Sequence, residues 1–411
     1  MTETSRARLH RFGDFLLEPK TILVVYLTAG SIATGQKLSG TWLDDYTQYN
    51  NYVIFKQSFF HLVEGKDLYA LYLAEHWDFF KYSPTFAFLM APFAILPDAI
   101  GLLLWNTLNI VAVYVAFRSF PGMGRKTRAF MLWFVVLELV ISVQNAQSNG
   151  LIAGLIVLAF VYLERGAAAR AALLVAMTVY VKLFGLVAFV LFLMYPAKRR
   201  AAVYAFLWFV LLGGLPLLVV SPQQLSFLYA SWADLLAADT MSPGLSVIGW
   251  LRSFGIDLHA GFVLFVGALL LVAPLFRRRF HHDFNFRVLA LASVLISVVI
   301  FNHKAESATY VIALSGIALW YFPQARRTEN VVLITLALVL TSLAPGDLFP
   351  SVVRESWVQP YKLKAVPSIL IWGKIVWEML AATGSTDAPA GSDLRRGLPP
   401  VRFRRTTPLA P

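Results

Sequence analysis

The chain has 411 residues, 58% of them hydrophobic and only 14% charged, with a net charge of +12 and no cysteine. A mean hydropathy of +0.66 excludes an ordinary soluble globular domain, and the lack of cysteine excludes disulfides, iron–sulfur clusters and thiolate metal sites. Apolar stretches of about 15–22 residues recur to the end, which defines an all-α polytopic membrane protein and not a β-barrel of short alternating strands.

The positive charge lies in short loops beside apolar segments, as the positive-inside rule expects, so no basic stripe is left for nucleic acid. At the N-terminus, Arg6, Arg8 and Arg11 precede an apolar run from Thr21. It reads as an uncleaved first span in preference to a signal peptide, because a long polar loop follows that needs an anchor. Further basic clusters stand at 118–128, 165–170, 198–200, 277–279 with Arg287, 326–327 and 395–405. Placing them all in the cytoplasm leaves outer loops at roughly 38–98, 144–149, 220–258, 302–307 and 344–367.

Two segments need separate treatment. Residues 84–97, PTFAFLMAPFAILP, are short and bounded by prolines, so they read as a short helix at or dipping into the outer face. Residues 171–195 have basic flanks on both sides, and two short spans broken near Lys182 satisfy the charge rule. About twelve spans result, near 21–37, 99–117, 130–144, 149–164, 171–181, 184–195, 201–219, 259–275, 286–301, 308–323, 329–343 and 368–382, with both termini cytoplasmic. Residues 1–382 form one transmembrane domain, and 383–411 read as a disordered basic cytoplasmic tail. No repeat of fixed period is present.

The first outer loop, about 60 residues long, is of a length that points to function. From Tyr52 a period of 3.6 gathers Tyr52, Phe55, Phe59, Leu62 and Val63 within about 100°. Gln57, Ser58, His61 and Glu64 fall opposite, and Gly65 is a natural stop. Such a helix is expected to lie in the interface, its polar face to water. The following stretch, EGKDLYALYLAEHWDFFKYSP, interleaves charges with aromatic rings. Rings flanked by carboxylates and amides suit a sugar, which has apolar faces and a hydroxylated edge. An interfacial belt of Trp and Tyr explains the same composition.

Gly65-Lys66-Asp67-Leu68-Tyr69, then Lys81-Tyr82-Ser83-Pro84, PFAILPD at 92–98, and Leu104-Trp105-Asn106 with Asn109 resemble, in order and spacing, glycosyltransferase family 87. Gln147-Ser148-Asn149 resembles its GQxN element, and Lys182 in VAMTVYVKLFG resembles the lysine after its next basic loop. The similarity runs over roughly residues 45–310. It implies a GT-C fold, a polyprenyl-phosphate sugar donor (typically mannose), a lipid or glycan acceptor, inversion at the anomeric carbon, and neither metal nor cofactor. The setting it implies is a bacterial inner membrane with the site on the extracytoplasmic side.

The family places an aspartate, its presumed general base, about fourteen residues before that first glycine. Here the position is Asn51, and an amide cannot take up a proton as a carboxylate does. Asp44 and Asp45 stand six or seven residues upstream. Asp45 shifted into place, another base, and loss of transferase activity are the three readings, and Asp45 is preferred. The other expected sugar or acceptor contacts are Asn50, Asn51, Asp67, Tyr69, Glu75, His76, Lys81, Tyr82, Gln147, Asn149 and Glu306.

His303, Lys304 and Glu306 stand where a late span leaves the membrane, and ionisable groups at such depth are functional candidates. The family resemblance implies that His303, a late outer-loop histidine, lies near the transfer centre, against the alternative of a polar helix cap. Lys182, between Val181 and Leu183, is either paired structurally or set to meet a donor phosphate. Lys304 and Arg252 are further phosphate candidates, Arg252 reading as an outer-loop cation with no acid nearby. The adjacent pair His281-His282 makes no metal site alone. The rival functions are a lipid-linked-sugar flippase or transporter, and a non-catalytic polyprenyl-lipid-binding protein. A transporter would place its binding groups near the midplane on broken helices, whereas here the polar residues gather on one face.

Overall fold

A computed structural model of the chain describes residues 13–40, 46–238, 244–346 and 349–382. The tail from 383 and the pair Asp44-Asp45 lie outside the described residues. The described body is helical throughout, and each of the twelve apolar segments carries a helix. Helix α1 (Pro19–Leu38) leads to α2 (Asn50–Val63), α3 (Pro84–Leu89), α4 (Ala91–Ala94), α5 (Asp98–Arg118), α6 (Arg125–Gln144), α7 (Asn149–Glu164) and α8 (Ala168–Val181). A 3-10 helix follows over Leu183–Met194, then α9 (Lys198–Gly214), α10 (Pro222–Ala238), α11 (Val247–Arg252), α12 (Ala260–Val272), α13 (Phe284–Ile300), α14 (Tyr310–Tyr321), α15 (Thr328–Leu336) and α16 (Val366–Ala381).

By length and composition, three of these can cross a membrane: Asp98–Arg118, Arg125–Gln144 and Lys198–Leu218. Seven more apolar helices are shorter, at 10–17 residues. Helices α7, α13 and α14 are apolar on every side and buried nearly throughout, as the centre of a bundle must be. Gly154 on α7 lies against the Ala112 backbone of α5, where a Cβ would come within 2.5 Å of the carbonyl carbon. Small residues allow such approach where packing, not water exclusion, joins helices. At the periphery, α9 and α12 turn large side chains outward, Phe206 being 67% and Phe265 65% exposed. A belt of this kind is what a lipid-facing surface requires.

The two sets of loops separate to opposite ends. At one end Arg165 donates to the Ser119 carbonyl, Arg277 to that of Met379, and Arg287 holds both oxygens of Glu164 at 2.6 and 2.8 Å. At the other, Asn51 reaches Asn145, Gln147 reaches Glu306, and Lys364 reaches Ser307.

Residues 84–97 form two short helices, α3 and α4, in keeping with the flanking prolines. Two expectations need correction. Only part of the polar side of α2 faces water: Glu64 is exposed, but Ser58 and His61 are buried, while Val63 on the supposed apolar side is exposed. The reason is that the following loop folds back over α2, pairing Glu75 with His61 at 3.0 Å. The region 220–258 is also more than a loop, since α10 runs for 17 residues and packs on the first loop. Ser231 donates to Asp67 at 3.0 Å, Gln224 to the Gly65 carbonyl at 2.9 Å, and Trp232 to that of Lys81 at 3.3 Å.

Candidate active site

The chain reverses at Lys182. Its backbone is extended (φ −147°, ψ 125°), so α8 ends there, and the next segment returns along α8 as a 3-10 helix. Gly185 sits so close to Thr178 that a Cβ would lie 2.3 Å from its hydroxyl oxygen. Seven residues of continuous helix would hold these positions about 10 Å apart. The 3-10 rise of about 2 Å per residue carries twelve residues some 24 Å, which offsets the shortness of this segment.

At the apex of that hairpin the Lys182 ammonium donates to Asn149 Oδ1 at 2.9 Å and Gln147 Oε1 at 3.1 Å. Gln147 also receives the Tyr82 hydroxyl at 3.4 Å and donates through Nε2 to Glu306 Oε2 at 3.5 Å. Asn149 donates to the Ala308 carbonyl at 3.0 Å. The turn before Gln147 is sharp: Ala146 adopts φ 49°, a left-handed conformation costly for a residue with a Cβ. Trp105 holds it by donating to the Ala146 carbonyl at 2.9 Å. Four stretches distant in sequence therefore meet at one cation.

A cavity of about 540 Å³ opens beside this group. Asn51, Asp78, Lys81, Tyr82, Gln147, Lys182, His303, Lys304 and Glu306 give it a polar side. Phe184, Val187, Leu264, Leu271, Val298 and Phe301 give it an apolar wall. Lys182 lies in the break between two helical segments, where burial pulls its ammonium down to about 8 while Glu306 acts in the opposite sense. Among the described residues two of its three N–H donors are taken, both by neutral amides. A phosphate entering the cavity would meet a cation with no carboxylate bonded directly to it.

Eight of the polar side chains lining the cavity were expected from the sequence, while Asp78, Ser297, Asn302 and Thr309 were not. Asp78 accepts from Lys81 at 2.9 and 3.1 Å. A carboxylate three residues before a lysine in the aromatic stretch was the available signal. Asn149 supports Lys182 from behind. The remaining expected contacts brace the loop: Asn50 accepts from the Trp77 amide at 3.3 Å, Asp67 from the Tyr69 amide at 3.1 Å, and the Tyr69 hydroxyl donates to the Tyr82 carbonyl at 3.0 Å. Glu75 is engaged by His61, and burial holds the His76 imidazole below its ordinary range. Arg252 is away from the cavity, and the expectation that it has no acid nearby is corrected by Asp257, whose carboxylate it meets at 2.8 Å.

Asn51 faces the cavity yet donates to the Asn145 carbonyl at 2.9 Å. A carboxylate at 51 would repel that carbonyl, so the amide has a structural reason to be there. A further feature behind the site is the pair Lys364–Glu138 at 2.9 Å, with side chains only 2% and 0% exposed, which also holds Ser307 at 2.8 Å, next to Glu306. A carboxylate in the middle of an apolar run was the sequence signal for it. Among the described residues, no three His, Asp or Glu side chains converge as a metal site would require.

A helical membrane body with a half-polar, half-apolar cavity at one end is suited to a ligand that carries both a charged head and an oily tail. Residues 79–302, more than half of the chain, match the sequence model of Glycosyltransferase family 87, and the chain belongs to that family. It is therefore a membrane glycosyltransferase, working with a sugar donor and an acceptor. No curated protein matches the chain.

Proposed function

We propose that the protein transfers a sugar, mannose by family resemblance, from a polyprenyl-phosphate donor to an acceptor hydroxyl at the extracytoplasmic face of a bacterial inner membrane. The observation that carries this reading is that Lys182, held by neutral amides, lines one cavity together with polar side chains and a set of apolar ones. The donor phosphate sits against Lys182, with His303 and Lys304 beside it, and the isoprenoid lies along Phe184, Val187, Leu264 and Leu271. The arginine clusters at the opposite end support a cytoplasmic assignment for that end, and with it cytoplasmic termini and an outward-facing cavity.

The acceptor oxygen attacks the anomeric carbon as the bond from that carbon to the phosphate oxygen breaks, inverting the configuration. The acceptor proton passes to a carboxylate, and polyprenyl phosphate departs with its charge held by Lys182, a fixed cation where negative charge develops. Asp45 is the proposed base. Asp78, held by Lys81, and Glu306, held by Gln147, orient the sugar and the amide system around it. Tyr82, with its ring 5.7 Å from the Lys182 ammonium, positions the sugar face.

The test is to incubate the purified chain in liposomes with labelled polyprenyl-phosphate mannose and a membrane-lipid or glycan acceptor extract. Label in a new glycosidic bond supports transfer. Label moved across the bilayer with no new bond identifies a flippase and sinks the proposal.

A further inference from the structure

A second pocket, of about 250 Å³, lies at the end opposite the cavity, between the start of α1, the tail of α5 and the head of α6. Arg118, Arg125 and Arg128 share its lining with apolar residues that include Leu17, Ile22 and Leu132. Glu18 meets Arg125 at 3.3 Å. The other two arginines use neutral acceptors: Arg128 donates to the Arg118 carbonyl at 2.6 Å, and Arg118 to the Tyr114 hydroxyl at 3.4 Å. Arg128 Nε is buried with no acceptor among the described residues. A buried charged donor left without an acceptor is costly, and folding offers no return for it here.

The backbone adds to this excess of positive charge. Helix α6 has Gly124 at its N-cap, so no side-chain cap, and no acidic residue in its first turn, which carries Arg125, Lys126 and Arg128 instead. The free N–H groups and the helix dipole at that end attract anions and repel cations. Arg118, Arg125 and Arg128 thus line one small, partly apolar chamber beside an uncapped helix start, and Arg128 Nε has no acceptor among the described residues.

We infer that this pocket binds a phosphate group, that of an anionic membrane phospholipid, with acyl carbons lying against Leu17, Ile22 and Leu132. A lipid fits better than free phosphate because half the wall is apolar and the pocket lies at the basic end of the bundle, where headgroups gather. The site is separate from the catalytic cavity and does not depend on what that cavity transfers.

The test uses the full chain in neutral detergent and follows thermal unfolding as phosphatidylglycerol, phosphatidylcholine or inorganic phosphate is added. Phosphatidylglycerol is expected to raise the midpoint and phosphatidylcholine to leave it unmoved. Arg128→Gln should weaken the apparent affinity for phosphatidylglycerol about fivefold, as should Arg125→Gln. Arg125 is an exposed position, so its variant serves where the first does not fold. Equal responses to the two lipids, or a phosphatidylglycerol response that both variants keep, overturns the inference. An arginine-dependent response to inorganic phosphate as large as that to the lipid overturns the lipid assignment and gives the pocket to the free anion.

Discussion

Lys182 and Gln147, 35 positions apart in sequence, meet at 3.1 Å where α8 breaks and where α7 begins. The contact ties the break after α8 to the left-handed turn at Ala146. A cation anchored by amides, and not by a carboxylate, stays available to an incoming anion. Replacing Lys182 with Met should therefore lower kcat for transfer by about 10²–10³, the usual loss when a fixed group facing developing charge is removed. Folding, followed by size-exclusion elution, should be kept.

The same lysine sets a pH dependence. Its ammonium is held at about 8, against 10.5 for an ordinary lysine. In the proposed mechanism transfer needs the charged form, so kcat/KM should fall as pH rises through about 8. Between these two values the unfolded chain holds a proton that the folded chain has released, so stability should rise with pH over that window. Lys182→Arg, which stays charged throughout, should lose the alkaline fall in rate. A pH–rate profile of both proteins checks this.

Three carboxylates are given different roles in the proposed mechanism. Asp45→Asn should cut kcat by about 10²–10⁴ while leaving the protein folded. Asp78→Asn and Glu306→Gln should raise KM more than they lower kcat, since in the proposed mechanism each orients and neither accepts the proton. Steady-state kinetics on the three variants separates the roles.

At position 51 the amide is structural. Asn51→Asp would set a carboxylate against the Asn145 carbonyl and is expected to cost about 1–3 kcal/mol without raising activity. Thermal unfolding together with the transfer assay measures both effects.

The buried pair Lys364–Glu138 braces the strand of chain that carries Glu306. Glu138→Ala leaves a buried ammonium uncompensated and should destabilise by about 3–5 kcal/mol. Adding Lys364→Met to it should recover most of that loss, which unfolding in detergent would register.

Much of the framework was legible in the sequence because it follows from local rules. Prolines at 84 and 97 marked the short helices α3 and α4, and basic flanks marked the break at Lys182. What periodicity could not carry was which distant segment covers a given face. Helix α2 shows two clean sides, yet the loop carrying Glu75 folds over Ser58 and His61 on the polar one. Lys364 and Glu138 lie 226 residues apart, and nothing local joins them. Asp78 was hidden for a similar reason, its place at the cavity being fixed by the fold of the loop and not by its neighbours.

The most direct test follows the donor's tail. Polyprenyl phosphate carrying a photoactivatable group in its first isoprene units should label residues 183–194 and 260–272, with Phe184, Val187, Leu264 and Leu271 foremost, and Lys182→Met should sharply reduce that labelling. Adducts spread over the outward face of α9, unchanged by the substitution, would contradict a donor seated in this cavity.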